Sequence, residues 1–241
     1  MTPAELADFR DALGRATSQP GLNYYHRVSD KYTQHVNVWT VDEDVRRHVF
    51  NRRRAEIARQ LSQSRGIRLW HDQIIIKMPG NSPSPWHHDL PLWPMIDSGT
   101  VTCWLALVDV TFDMGCMHFI PGSHRWGRLA FTTLPSQILD SLDGAGLIVP
   151  EEQRDNLKPV SIELRAGSCT FHHALAMHYA GPNVTDRPLV GFITNYMPDG
   201  VRYSGQKHVT TDPLGLAVGQ PIAGDLFPIV ASADPAEVVS L

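Results

Sequence analysis

The residues best suited to chemistry lie in Pro85-Trp86-His87-His88-Asp89-Leu90-Pro91 and in Ala176-Met177-His178-Tyr179-Ala180-Gly181-Pro182-Asn183. An extended segment sends alternate side chains to one face, so His87 and Asp89 can reach a single point in space. His178, arriving on a distant strand, would supply a third donor. Two imidazoles and one carboxylate, with the opposite positions left open, form the ligand set of non-haem Fe(II) oxygenases. A lone His-x-Asp is common by chance, and its surroundings give this one weight. It follows a proline-rich approach and is flanked by Trp86 and Trp93, which could wall an apolar pocket or simply fill a core. The two halves of the set stand 89 residues apart (178 − 89), a separation that a closed β-architecture bridges.

The elements needed to position these groups can be read along the chain. Thr2, Pro3 and Glu5 form an N-cap, first-turn and capping-box signature for a helix reaching about Ala16. Leu6, Phe9 and Leu13 give that helix one apolar face. Residues 18–32 lack a period and are expected to form an ordered loop. Residues 42–64 read as one further helix, with Val45, Val49, Ile57 and Leu61 on its inner side. Its arginines, from Arg46 to Arg59, then form a solvated face. After Gly66 the texture turns to β. Strands are expected at 67–77, around His87, at 101–110, 116–120, 160–164, 168–173, 177–179 and 189–197, divided by Pro-Gly and Asp-Gly turns. Residues 127–158 are expected to form a loop or partly helical excursion over one face. Two helices followed by short, turn-punctuated strands are the pattern of an antiparallel sandwich or jelly roll.

Composition supports one ordinary globular domain over residues 1–241, with a helical part over about 1–65. Of the 241 residues 42% are hydrophobic and 19% charged, and the formal charge of −4 leaves no basic footprint for nucleic acid or an anionic membrane. Neither a leader-like apolar start nor a run long enough to span a bilayer is visible, which makes the cytoplasm the expected location. Cys103, Cys116 and Cys169 fall in apolar stretches with no metal-type pairing, and read as small core residues.

Several segments, taken in order, resemble the phytanoyl-CoA dioxygenase family. Trp86-His87-His88-Asp89-Leu90-Pro91-Leu92-Trp93-Pro94 is similar to its first metal motif, and Cys103-Trp104-Leu105-Ala106-Leu107-Val108-Asp109 to the strand that follows. Asp113-Met114-Gly115-Cys116-Met117-His118-Phe119-Ile120-Pro121-Gly122-Ser123-His124 resembles the second signature, and the stretch from His178 to Pro188 the third. The resemblance covers about residues 67–200. It implies an all-β core with N-terminal helices, folded as a double-stranded β-helix (a cupin-like jelly roll) around one Fe(II). His87, Asp89 and His178 fall on the family's ligand positions. His88 takes the intervening place and should point away; His118, His124, His172 and His173 are expected in pocket, structural or surface roles.

The resemblance also implies 2-oxoglutarate as co-substrate with O2 and a small organic substrate. Gln73 and Trp104 match positions that line the co-substrate site. The family's usual anchoring arginine falls here on Leu189. A leucine cannot replace a bidentate guanidinium, so Arg187, in the turn just before, is the first candidate for that task. Lys77 and Arg165 are further cations without motif support. The leading expectation is an Fe(II)/2-oxoglutarate dioxygenase oxidising a small, largely apolar molecule, since Trp86, Trp93, Phe171 and Met177 are large and apolar. The alternative keeps the iron but not the oxoglutarate, giving an iron-dependent oxygenase or isomerase. A jelly-roll binding module holding a structural metal is a third reading, which the intact triad disfavours.

Overall fold

A computed structural model describes residues 1–18, 25–97, 99–129, 151 and 157–239. The first helix, α1 (Pro3–Ser18), opens on the expected capping box: Thr2 N donates to Glu5 Oε2 at 2.7 Å, and Glu5 N donates to Thr2 Oγ1 at 3.3 Å. Its apolar stripe, Leu6, Phe9 and Leu13, is buried. The helix expected over 42–64 is two helices, α2 (Glu43–Val49) and α3 (Arg52–Ser62). Asn51 makes the break, because its side chain accepts the amide of Arg54 at 3.1 Å and caps α3. Restarting the helix rotates its inner face. Ala55, Ala58 and the Arg54 stem are buried, while Ile57 and Leu61 face solvent.

Eleven strands among the described residues make two antiparallel sheets. The strands are β1 (Tyr25–Val28), β2 (Thr33–Val36), β3 (Gly66–Lys77), β4 (Ser84–His87), β5 (Val101–Ala106), β6 (Met117–Phe119), β7 (Val160–Ile162), β8 (Cys169–His173), β9 (His178–Ala180), β10 (Leu189–Pro198) and β11 (Ile229–Ser232). The larger sheet runs β1-β2-β3-β10-β5-β8 with β11 also on β3, and the smaller runs β4-β9-β6-β7. Non-sequential neighbours such as β3 beside β10 and β4 beside β9 bring distant segments together, as the expected jelly roll requires. The loop expected over 18–32 is partly wrong: 25–28 is a strand paired with 33–36, and its remaining part falls mostly outside the described residues. The 127–158 excursion also lies largely outside them. Strand β11 was not anticipated.

Alternation sorts the larger sheet's side chains. Leu69, Ile74, Cys103, Leu105, Phe192 and Tyr196 join Phe9, Val45, Val49 and Ala58 of the helices in one buried cluster on the outer face. Phe9 meets Phe192 edge-on at 4.8 Å. Each Val, Leu, Ile or Phe side chain removed from water there contributes roughly 1.5–3 kcal/mol. The inner face is left to wall a cavity, because the helices already cover the other one.

Candidate active site

His87 closes β4 directly opposite His178 on β9, and the two ring centroids stand 4.1 Å apart. Asp89 is not on an extended strand. It has helical backbone angles (φ −73°, ψ −38°) at the start of the short turn Leu90–Leu92. The carboxylate reaches the histidines because the chain turns there, and not through strand alternation. Asp89 Oδ1 lies 3.8 Å from His87 Nε2 and 3.7 Å from His178 Nε2, and one donor atom from each residue falls within 4.8 Å of the others. Metal bonds of about 2.0–2.2 Å set adjacent donors about 3 Å apart, so a small contraction would close the set on an ion.

The unused ring nitrogens fit the same purpose. His87 Nδ1 donates to the Pro85 carbonyl at 2.6 Å and His178 Nδ1 to the Ala176 carbonyl at 2.9 Å. A carbonyl can only accept, so the proton sits on Nδ1 and each Nε2 offers its lone pair inward. Burial, reinforced by the neighbouring His87, pushes the His178 imidazole down to about 3, which keeps it neutral. Burial works against the Asp89 carboxylate, yet His178, His172 and His87 outweigh it and hold the group well below the usual carboxylate range.

The second carboxylate oxygen is held from the larger sheet. Thr102 Oγ1 stands 3.3 Å from Asp89 Oδ2 and 2.8 Å from Asn195 Oδ1, so one hydroxyl proton serves two acceptors. His172 Nε2 is 3.7 Å from the same Oδ2; among the described residues neither nitrogen of this buried ring has a hydrogen-bond partner. His88 points away as expected, donating from Nε2 to the Leu129 carbonyl at 3.2 Å.

A cavity of about 690 Å3 opens over these groups, large enough for a small keto acid and an organic substrate together. From β3, His71, Gln73, Ile75 and Lys77 line it at every second residue; from β10, Leu189 and Ile193; from β5, Thr102 and Trp104. Gln73 therefore stands in the wall, accepting a hydrogen bond from the Gln34 side chain. The six-membered half of the Trp104 indole lies against Gly191, where a Cβ would sit 2.7 Å from Cε2 and closer still to Cζ2.

Arg187 is not in this wall. Its side chain is 75% exposed and faces Asp186, at 3.9 Å. Asn183 Nδ2 donates to the Arg187 carbonyl at 2.8 Å, fixing the turn so that the guanidinium projects outward. Arg165 is likewise exposed. Of the four residues expected to make the pocket apolar, Trp93 lines it. Trp86 and Met177 instead pack with Ile120 and Tyr179, and Phe171 packs against the helix-side core. Walls absent from the sequence reading come from Gln34 and Val36 of β2 and from the loop Lys207-His208-Val209. The period-two pattern of β3 carried a signal for the cavity; the late loop carried none.

The match to the phytanoyl-CoA dioxygenase (PhyH) family covers residues 1–188. The chain belongs to that family. Among curated relatives it is 28% identical over 120 residues to a probable alpha-ketoglutarate-dependent hypophosphite dioxygenase of Stutzerimonas stutzeri (48% of this chain, 40% of that protein). It is 27% identical over 127 residues to the human peroxisomal phytanoyl-CoA dioxygenase (49% and 36%). These alignments span less than half of either relative. The likeness to solved structures runs further. The α-ketoglutarate-dependent carbocyclase SnoK from nogalamycin biosynthesis superposes with a TM-score of 0.78 at 26% identity, covering 96% of this chain and 89% of that one. The epimerase SnoN, in complex with Fe3+, α-ketoglutarate and nogalamycin RO, gives 0.77 at 27% (96% and 91%). The double-stranded β-helix is thus the family's own fold. No described helix of this PhyH-family chain is long and apolar enough to cross a membrane.

Proposed function

We propose that this chain is a non-haem Fe(II)/2-oxoglutarate-dependent oxygenase acting on a small organic substrate, with His87, Asp89 and His178 as its iron ligands. The observation that carries the reading is the donor set itself: two imidazoles aimed by backbone carbonyls, and one carboxylate braced on its far oxygen, converge at the floor of a cavity. Iron with a keto acid would supply oxidative decarboxylation and the power to attack an unactivated C–H bond.

The protein's part is positional. Gln73 and Trp104 stand in the wall where a keto acid would lie. At the other end His71, Trp93, Lys207 and His208 offer rings beside polar groups. That mixture supports a substrate combining ring or apolar surface with polar substituents, rather than a plain hydrocarbon chain. The likeness to a carbocyclase and an epimerase of one biosynthetic route supports the same class. The helices share one core with the larger sheet, which supports reading residues 1–241 as a single domain.

The test is anaerobic loading with Fe(II) followed by 2-oxoglutarate. A weak visible charge-transfer band should appear, and His178→Ala should abolish both iron binding and the band. Admission of O2 with substrate should then yield succinate in proportion to product. Leu189, at the place of the family's arginine, favours a second reading in which iron is used without oxoglutarate. Iron demonstrably bound, with no band at millimolar oxoglutarate and turnover in its absence, would establish that reading and sink the first.

A further inference from the structure

A keto diacid held at this metal would carry its second carboxylate into the cavity, and a buried carboxylate needs a cation. Three cations line the cavity among the described residues: Lys31, Lys77 and Lys207. Lys207 is exposed, at the end of the cavity that holds His208 and Trp93. Lys31 is half-buried and donates from Nζ to the Pro83 carbonyl at 3.0 Å. Lys77 is the buried one, with 3% of its surface exposed.

Its place in the sheet decides the matter. Leu189 on β10 and Lys77 on β3 are direct register partners. Side chains of such a pair leave the sheet on the same face, about 5 Å apart at Cβ, and both line the cavity. The Lys77 ammonium donates to the carbonyl of Gly181, three residues past His178, or about 10 Å along extended chain. A five-carbon keto diacid, with a metal bond at one end and a charged hydrogen bond at the other, also spans about 10 Å. Gly115, with φ +87°, lies against the Gly181 carbonyl so closely that any side chain there would collide with it, and so keeps this corner open.

We infer that Lys77 is the residue that anchors the far carboxylate of the co-substrate, the cation having moved one strand across the sheet at the rung where Leu189 stands. The inference rests on the oxoglutarate-dependent reading above. An ammonium is a point charge without the fork of a guanidinium, so the anchor selects for charge at the far end and holds it less rigidly.

The experiment titrates the anaerobic Fe(II) protein with 2-oxoglutarate and with pyruvate, which shares the keto acid but has no far carboxylate, reading the charge-transfer band. Lys77→Gln keeps a donor for the Gly181 carbonyl and removes the charge. It should weaken 2-oxoglutarate at least tenfold and leave pyruvate and Fe(II) binding within about twofold. Lys77→Met/Leu189→Arg should recover most of the lost affinity, because it returns a cation to the same rung, and Lys31→Met should change neither keto acid. Unchanged 2-oxoglutarate affinity in Lys77→Gln overturns the inference. So does an equal loss for both keto acids, which would mark a purely structural lysine, or a selective loss in Lys31→Met. Absence of any band in the wild-type protein with iron bound would instead remove the oxoglutarate reading on which the inference stands.

Discussion

Gly191 is buried as the third residue of β10, and the Trp104 ring occupies the space above it. Replacing it with alanine tests whether the indole forms the floor of the co-substrate end. The added Cβ would stand 2.7 Å from Cε2 and 3.1 Å from Cη2. Carbon atoms rest at about 3.5–4.0 Å, so the ring must withdraw by close to 1 Å at the least (3.5 − 2.7). It cannot do so freely, being 5% exposed and held among Ala106, Val110, Met114, Cys116, Leu189 and Ile193. Overpacking of this kind costs about 1–3 kcal/mol, or roughly 2–12 °C in Tm for a chain of this size. The cavity is the open side, so the ring should lift into it and weaken 2-oxoglutarate as well.

Thermal melts and the charge-transfer titration measure the two effects separately. Trp104→Phe removes the six-membered half of the indole that collides, so the double variant should be more stable than the sum of the single losses by about 0.5–3 kcal/mol. A Gly191→Ala protein with wild-type Tm and wild-type keto-acid binding would refute the geometry. Strict additivity with Trp104→Phe would show that the two residues do not meet as described.

Two further outcomes follow from the site. Thr102→Val removes the hydroxyl 3.3 Å from Asp89 Oδ2 without changing the shape of the side chain; Fe(II) affinity, read by competition with a chelator, should fall about 10–100-fold while the far-ultraviolet spectrum is unchanged. Burial, with His208 adding to it, pushes His71 down to about 3, as burial and His87 do for His178, so between pH 6.5 and 3 the unfolded chain binds protons that the folded metal-free protein refuses. Stability is therefore lost as pH falls through that window, opposed in part by Asp72, which burial pushes up to about 7. His71→Asn should reduce the slope of unfolding free energy against pH by about 1.4 kcal/mol per unit, measured by urea melts at stepped pH; an unchanged slope would mean that His71 is not held neutral.

Local chemistry was legible in the sequence where one segment decides it. The capping box at Thr2 and Glu5, the buried stripe of α1 and the period-two face of β3 all arise from neighbours a few residues apart. His87, Asp89 and His178 were found through motif order, and the structure brings them together, but the reason given for Asp89 was wrong. A turn residue was mistaken for a strand residue because Leu90-Pro91-Leu92 continues the apolar texture of β4. The break at Asn51 was hidden inside a run of arginines for a similar reason, since a capping asparagine and a helical one can sit between identical neighbours and differ only in backbone angles. Trp86, Phe171 and Met177 lie outside the cavity wall where the sequence reading put them, because alternation states that two faces exist and not which one looks into the cavity. Register between distant strands lay outside any local pattern, and with it the pairing of Lys77 with Leu189.

That pairing bears on how such a site can change. His87 and His178 come from the smaller sheet and Asp89 from the turn after β4, while most of the wall around the keto-acid end is built by β2, β3, β5 and β10 of the larger one. The two parts meet at Asp89, through Thr102 and His172. A substitution at the Leu189 end of β10, away from Asn195, therefore leaves His87, Asp89 and His178 and the carbonyl partners of the two imidazoles untouched. Leucine at position 189 puts no charge on the cavity wall there and makes no contact on which the triad's carbonyl hydrogen bonds depend. The demand for charge in the wall can then be met by any strand that presents a side chain at the same rung. Lys77, directly across from Leu189 on β3, already occupies the one such position on that neighbour, so the ligand set and the anchor are separable features of the fold.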